Sequence, residues 1–257
     1  MRILVFSAHS ADFCSRAGGT IARYVQEGHM VRVVALSFGE RSESGGLYGR
    51  VPLGSDIIEF AEGEERPSLE EVRRIRQQEA TQAAEILGAD IRFLNWGDLS
   101  FEYSSERAKL LAVEIRDFQP DVVLTHHGPD PRSVDHDTTY NLVKRATQMT
   151  GAAGLEVNLP PHRRPETFLF EATIPLTELE GFNPDFYVDV TDVWDIKHEA
   201  LGAFHRGQPF LLPWYTDVAK RRAFQAQRLA GRTDIEYAEA FERTSPWVGR
   251  ELPLNTI

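Results

Sequence analysis

The stretch SAHSADFCSRAGG, residues 7–19, follows the apolar run Ile3-Leu4-Val5-Phe6 and places His9, Asp12 and Cys14 at the mouth of a first strand. Imidazole nitrogen and carboxylate oxygen are zinc donors, and a catalytic zinc keeps three protein ligands with one open position. His9 and Asp12 can both turn inward from one tight loop, so a third ligand must come from elsewhere. The segment THHGPDPRSVDHD, residues 125–137, offers His136, which completes a set of two histidines and one aspartate. Such a set accepts other divalent ions as well as zinc. Taken singly, these residues have ordinary explanations: a loop histidine bonded to backbone, and a carboxylate favoured at a helix start. Cys14 beside His9 opens a second reading, a thiolate nucleophile stabilised near a helix N-terminus. One cysteine beside one histidine is a weak signal, because a buried free cysteine is common packing. Ala17-Gly18-Gly19 lacks both the GxGxxG pattern and a Walker lysine and carries little weight as a phosphate cradle.

These residues need elements to position them. Arg2–Ser7 is a β-rich run, residues 17–27 have helical spacing stopped by Gly28, and MVRVVALS is a second strand. Residues 39–56 form a polar, glycine-rich loop long enough to close over a substrate. Residues 68–88 are the clearest helix, with Ser68 and Glu71 as a capping box and Gly88 as stop. DIRFLNWG (90–97) reads as a strand, 105–118 as a helix, PDVVLTHH (120–127) as a strand and 135–150 as a helix. This βαβαβαβ order predicts an α/β fold, a Rossmann-like, mostly parallel sheet with helices on both faces. After Gly151 the chain is richer in proline and glycine. TFLFEATIP (167–175) and DFYVDVT (185–191) are strand-like, and 193–204 and 218–229 are helical. Residues 1–257 therefore read as one domain, a core over 1–150 and an extension over 151–257 that covers one side of it. In an open parallel sheet, ligands bind beyond the carboxyl ends of the strands. Three polar clusters sit at such ends: His9 and Asp12; Ser37, Glu40, Arg41 and Glu43; and His126, His127, Asp130, Arg132, Asp135 and His136.

Composition narrows the partners. With 28 Lys+Arg against 39 Asp+Glu the formal net charge is -11, which argues against nucleic acid and anionic membranes. A single cysteine excludes an intrachain disulfide framework and fits a reducing compartment. The N-terminal apolar run is too short for a signal segment or a spanning helix, so a cytoplasmic protein is expected. A homo-oligomer is compatible with all of this.

The quoted opening with its continuation AGGTIARYVQEGHMVRVVALSFGE, then RQQE (76–79), AAEILGA, PDVVLTHH, VDHD and YAEAF, resembles the LmbE-like or PIG-L superfamily of zinc-dependent deacetylases over most of the chain. The resemblance implies zinc held by His9, Asp12 and His136, the three residues proposed above. Two positions depart from the family pattern. The family's general base is Ala11 here, and a histidine credited with oxyanion stabilisation is Ser133. Amide hydrolysis on a metal needs both functions.

SAHSADF, RAGG and LSFGERSES are most similar to a branch of that superfamily, the 4-oxalomesaconate hydratases, which add water to an unsaturated keto acid. The reading this implies is a zinc-dependent hydro-lyase acting on a small anionic substrate. Glu40, Asp135 and His126 are its catalytic candidates, and Arg41, Arg76, Arg132 and Arg222 are its substrate-binding guanidinium groups. Solvated loop carboxylates are the plain alternative for Glu40 and Glu43, and an exposed helix face for Arg73, Arg74 and Arg76. The branch's histidine after the FLFE strand is absent, since residues 170–173 are Phe-Glu-Ala-Thr, leaving His162 or His205 as substitutes. A zinc N-deacetylase of an acylated amino sugar, with Asp135 or Glu40 as replacement base, is the alternative activity. A metal-binding protein without turnover is the second alternative.

Overall fold

The structure is a computed structural model that describes residues 1–51, 58–60, 63, 65–130, 132–173, 178–179 and 181–250. Residues 52–56 of the expected loop and 174–175 of the expected strand lie outside the described residues.

Seven strands form one sheet in the order β3-β2-β1-β4-β5-β7-β6. They are β1 (Arg2–Ser7), β2 (Met30–Ala35), β3 (Asp90–Phe93), β4 (Val122–His126), β5 (Glu166–Phe170), β6 (Phe186–Asp189) and β7 (Ala238–Arg243). β3, β2, β1, β4 and β5 are parallel, while β7 runs antiparallel to both β5 and β6. The fold is therefore the expected Rossmann-like α/β type, with an antiparallel edge built by the second half of the sequence. β7 covers AEAFER, which has no β-branched residue, so no strand is expected there from propensity.

The helices are α1 (Asp12–Gln26), α2 (Gly45–Tyr48), α3 (Leu69–Leu87), α4 (Ser105–Phe118), α5 (Val134–Met149), α6 (Trp194–Gly202) and α7 (Leu211–Ala230). Alternate β1 residues point to opposite faces. Ile3 and Val5 pack with α1, α3, α6 and α7; Leu4 and Phe6 pack with α4 and α5. Burial on both faces is why the strand reads as an unbroken apolar run. The α3 caps follow the sequence: the Ser68 side chain accepts the Glu71 N–H at 3.2 Å, and Gly88 is left-handed at φ 75°.

Two helices start earlier than expected. α1 begins at Asp12, five residues before the predicted 17, because Ser7 Oγ accepts the Phe13 N–H at 3.1 Å and the Ala11 carbonyl accepts from Ser15 at 3.0 Å. α7 begins at Leu211 rather than 218, its first turn packed into the core through Leu211 and Tyr215. β2 and β3 lie on one side of β1, and β4 and β5 on the other. The sheet's topological switch point thus falls between β1 and β4, where a crevice opens beyond the strand ends.

Candidate functional site

The loops after β1 and β4 meet at that crevice. His9 Nδ1 lies 3.4 Å from Asp12 Oδ2 and 3.2 Å from Glu43 Oε1. His136 Nε2 lies 3.6 Å from the same Asp12 oxygen and 3.9 Å from the same Glu43 oxygen. Both ring nitrogens are buried and have no hydrogen-bond partner among the described residues. The four ligand atoms lie within 4.8 Å of one another. Two orphaned imidazole nitrogens facing two carboxylates fit a divalent cation. The side-chain nitrogens and oxygens suit zinc among others.

Each histidine gives its other nitrogen to buried carboxylates. His9 Nε2 is 3.3 Å from Asp135 Oδ2 and 3.3 Å from Asp98 Oδ1. His136 Nδ1 is 2.7 Å from Asp130 Oδ2. This arrangement fixes ring orientation and leaves the inward lone pair for a metal. The carboxylates are themselves fixed. Asp98 accepts the N–H groups of Arg41 and Ser42, Asp135 accepts that of Leu99, and Asp130 accepts the N–H and hydroxyl of Thr173. Asp12 is held by the Arg16 Nη1 donor at 2.6 Å and accepts the His9 N–H at 2.7 Å.

Electrostatics follow from this crowding. Burial opposes a charged His9, but Glu43, Asp12, Asp135 and Asp98 outweigh it and hold the imidazole well above its usual range. Burial opposes an ionised Asp12, but Arg16, His136 and His126 outweigh it and hold the carboxyl well below. His126 moves the other way. Burial and the charge of His136 push it down to about 3, and its Nε2 accepts the Ala8 N–H at 3.0 Å.

A pocket of about 360 Å³ opens over the centre. Asp12, Arg16, Glu43, Arg132 and Tyr215 line it, with the Phe210–Trp214 side of α7 as a wall. The structure brings together His9, Asp12 and His136, as their metal assignment requires. The other sequence candidates divide. Arg132 is on the pocket wall, whereas Glu40, Asp135, His126, Arg41, Arg76 and Arg222 are not among the lining residues. Glu40 is fully buried beneath the site and pairs with Arg73 at 2.7 Å and Arg41 at 3.2 Å, so it is not a solvated loop carboxylate. Asp135 faces His9 from behind. His126 stacks on His136 at 4.1 Å and lies 3.3 Å from Asp12 Oδ2. Arg41 Nη1 donates to the Asp98 carbonyl.

Arg76 is buried rather than exposed, its guanidinium taken by Glu79, Gln208 and the Phe38 carbonyl. Arg222 is forked on Glu171 and also bonds Glu178 and Gln225. His162 bonds the Pro120 carbonyl, His205 is exposed, and neither lines the pocket. Cys14 turns away into the core, where burial raises its thiol to about 12, which removes the thiolate reading.

Sequence reasoning placed Glu43 in the right cluster without singling it out, and missed Arg16, Asp98 and Tyr215. The Asp12–Arg16 spacing of four residues on a helix is a usable signal for the first of these. Asp98 and Tyr215 arrive through tertiary contacts alone.

Comparison with known proteins agrees with this fold. The sequence profile of the PIG-L family, GlcNAc-PI de-N-acetylase, matches residues 4–147. A 4-oxalmesaconate hydratase of Pseudomonas putida is 37% identical over 252 residues, 97% of this chain and 91% of that protein. The crystal structure of GalB, the 4-carboxy-2-hydroxymuconate hydratase of Pseudomonas putida KT2440, superposes with a TM-score of 0.87 at 35% identity, covering 98% of this chain and 99% of that one. The N,N'-diacetylchitobiose deacetylase of Pyrococcus horikoshii, at 22% identity and a TM-score of 0.73 over 95% of this chain and 83% of that one, shares the fold. The match of the family profile over more than half the chain, together with the near-full-length hydratase relative, shows that this chain belongs to the PIG-L family.

Proposed function

We propose that the protein is a zinc-dependent hydro-lyase that adds water to a small unsaturated keto polycarboxylate, the class of compound named for its Pseudomonas putida relative. The observation that carries this reading is that both departures from the deacetylase pattern, Ala11 and Ser133, line the pocket itself. The wall where an acyl-transfer base and an oxyanion donor belong therefore presents a methyl group and a hydroxyl whose oxygen caps α5 by accepting the His136 N–H.

His9, Asp12 and His136 hold the metal, which when bound supplies Lewis-acid polarisation of the substrate carbonyl. Glu43 is the pocket carboxylate positioned to move a proton. Its Oε1 faces the two histidines, and its Oε2 receives a long 3.4 Å contact from the Gln208 amide. It takes over the acid/base role for which Glu40 and Asp135 stand out in the sequence. Those two instead fix Arg73 and His9, while His126 stays neutral and packs against the His136 ring. Arg132 on the pocket wall receives a carboxylate of the substrate as a guanidinium fork.

Incubation of the zinc-loaded protein with an unsaturated keto polycarboxylate is expected to bleach its conjugated ultraviolet absorbance without cleavage. Acetate release from an N-acetyl amino sugar, with no bleaching, would overturn the reading in favour of a deacetylase. Zinc at one equivalent with neither turnover would leave a metal-binding protein.

A further inference from the structure

The side-chain hydroxyls on the lining of the pocket over the metal centre are those of Ser15, Ser42, Ser133, Thr173 and Tyr215. Three of them give their proton to the fold: Ser15 to the Asp12 carbonyl at 3.2 Å, Ser42 to Asp98 at 2.9 Å and Thr173 to Asp130 at 2.8 Å. Ser133 keeps its proton but is half-buried only, so water competes for it. Tyr215 differs from all four. It is 4% exposed, and its hydroxyl makes no close hydrogen bond among the described residues, yet its oxygen is not one of the fully buried unpartnered atoms. The Ser15 hydroxyl beside it is already engaged, by Asp12 and by the Arg16 Nη1 donor at 3.2 Å. The phenolic proton is left for a group in the pocket.

Tyr215 also borders a void of about 10 Å³ toward Glu171, Lys197 and Glu239. Asp12 and Glu43, which line the larger pocket and not the void, act on its hydroxyl together with Arg16, so the oxygen faces the larger pocket. The ring is packed into the core with Leu211, and the Arg16 guanidinium carbon lies 5.8 Å from its centroid. Burial pushes the phenol up to about 12, so it remains a neutral donor. A buried donor held in place before reaction is the arrangement that stabilises an oxygen as it becomes negative.

We propose that Tyr215 is a catalytic residue of the hydration, donating a hydrogen bond to the substrate's carbonyl oxygen as that oxygen takes up negative charge. This role rests on the hydro-lyase reading above. The water oxygen bonds to the β-carbon, the water proton passes to the Glu43 carboxylate, and the electron pair of the carbon–carbon double bond is delocalised onto the carbonyl oxygen as an enolate. Glu43 then returns the proton to the α-carbon, and the carbonyl re-forms. Tyr215 keeps its own proton throughout. A donor from α7 thus supplies the oxyanion stabilisation for which position 133 has no histidine.

The test is Tyr215→Phe, which removes one oxygen and keeps the ring, and should therefore retain the parent's zinc content and thermal midpoint. With an unsaturated keto polycarboxylate as substrate, kcat should fall about 10²–10³-fold with KM little changed. Oxalate, a planar dianion resembling the enolate of an α-keto acid, should bind the zinc-loaded parent in calorimetry and bind the variant about tenfold or more weakly, as loss of a charge-assisted hydrogen bond does. A folded variant with unchanged kcat and oxalate affinity would overturn the proposal. So would a lower kcat accompanied by loss of zinc or of thermal midpoint, which would make Tyr215 a packing residue. Absence of hydration by the parent protein would instead remove the hydro-lyase reading, and this role with it.

Discussion

At the scale of single residues, the site rests on a division of labour between the two nitrogens of each histidine. Among the described residues the inward nitrogens of His9 and His136 have no hydrogen-bond partner, and the outward nitrogens are bound to carboxylates. Asp12→Ala should therefore abolish stoichiometric metal binding, measured by elemental analysis of protein purified in parallel with the parent. Glu43→Gln tests a different function. It should retain metal while kcat for the hydration falls by about 10²–10⁴-fold, the usual contribution of a general acid or base. Loss of metal from that variant would instead make Glu43 a ligand. Cys14 gives a contrast in reactivity. Burial keeps it a neutral thiol with its pKa pushed up to about 12, so the native protein should resist alkylation at pH 8. Urea-unfolded protein should take up one equivalent. Rapid labelling of the native state would show that the thiol is accessible after all.

At the scale of elements, α1 is the part that the site leans on, because it carries Asp12 and Arg16 at its start and packs on the antiparallel edge further along. Within it the Gly19 and Thr20 N–H groups donate to the Glu239 carboxylate at 2.8 and 2.7 Å, and Lys197 Nζ donates both to Glu239 at 2.6 Å and to the Ser15 carbonyl at 2.9 Å. A buried pair is costly to break from one side, since the other charge is stranded. Glu239→Ala should lose about 3–5 kcal/mol, read from the urea midpoint. Gly19 has a separate role: a Cβ there would stand 2.7 Å from Val190 Cβ. Gly19→Ala should cost about 1–3 kcal/mol by forcing that contact apart. An unchanged midpoint in either variant would mean that α1 is not held in this way.

At the scale of the whole molecule, the two halves of the sequence share one sheet, and the pocket is finished by α7, which supplies Leu211, Trp214 and Tyr215. A metal joining the loops after β1 and β4 ties the central strands of that sheet together, and a ligand that binds only the folded state stabilises it by mass action. Removal of metal with a chelator should lower the thermal midpoint, and zinc should restore it. The stabilisation approaches about 4 kcal/mol when free metal is a thousandfold above its Kd. A midpoint indifferent to chelator and zinc would mean that these side chains hold no ion. Among the described residues, no helix is long and apolar enough to cross a membrane.

What the sequence determined by itself was the local and periodic part of this protein. The apolar runs of β1, β2 and β4, the capped helix α3 and the alternation of strands with helices follow from side-chain burial and backbone capping, which act over a few residues. Their order alone sends the loops after β1 and β4 to one sheet edge, which is why His9, Asp12 and His136 could be named together. Tertiary structure decided what depends on contacts between distant segments. It buried Glu40 against Arg73 and Arg41 and set Asp135 behind His9, because burial and ion pairs fix where a carboxylate points. It put Glu43 at the pocket, turned Arg76 and Arg222 into buried structural forks, and recruited Asp98 and Tyr215, which lie 89 and 206 positions from His9 along the chain. Burial, pairing and the resulting electrostatics are properties of the packed whole, and no local pattern in the sequence encodes them.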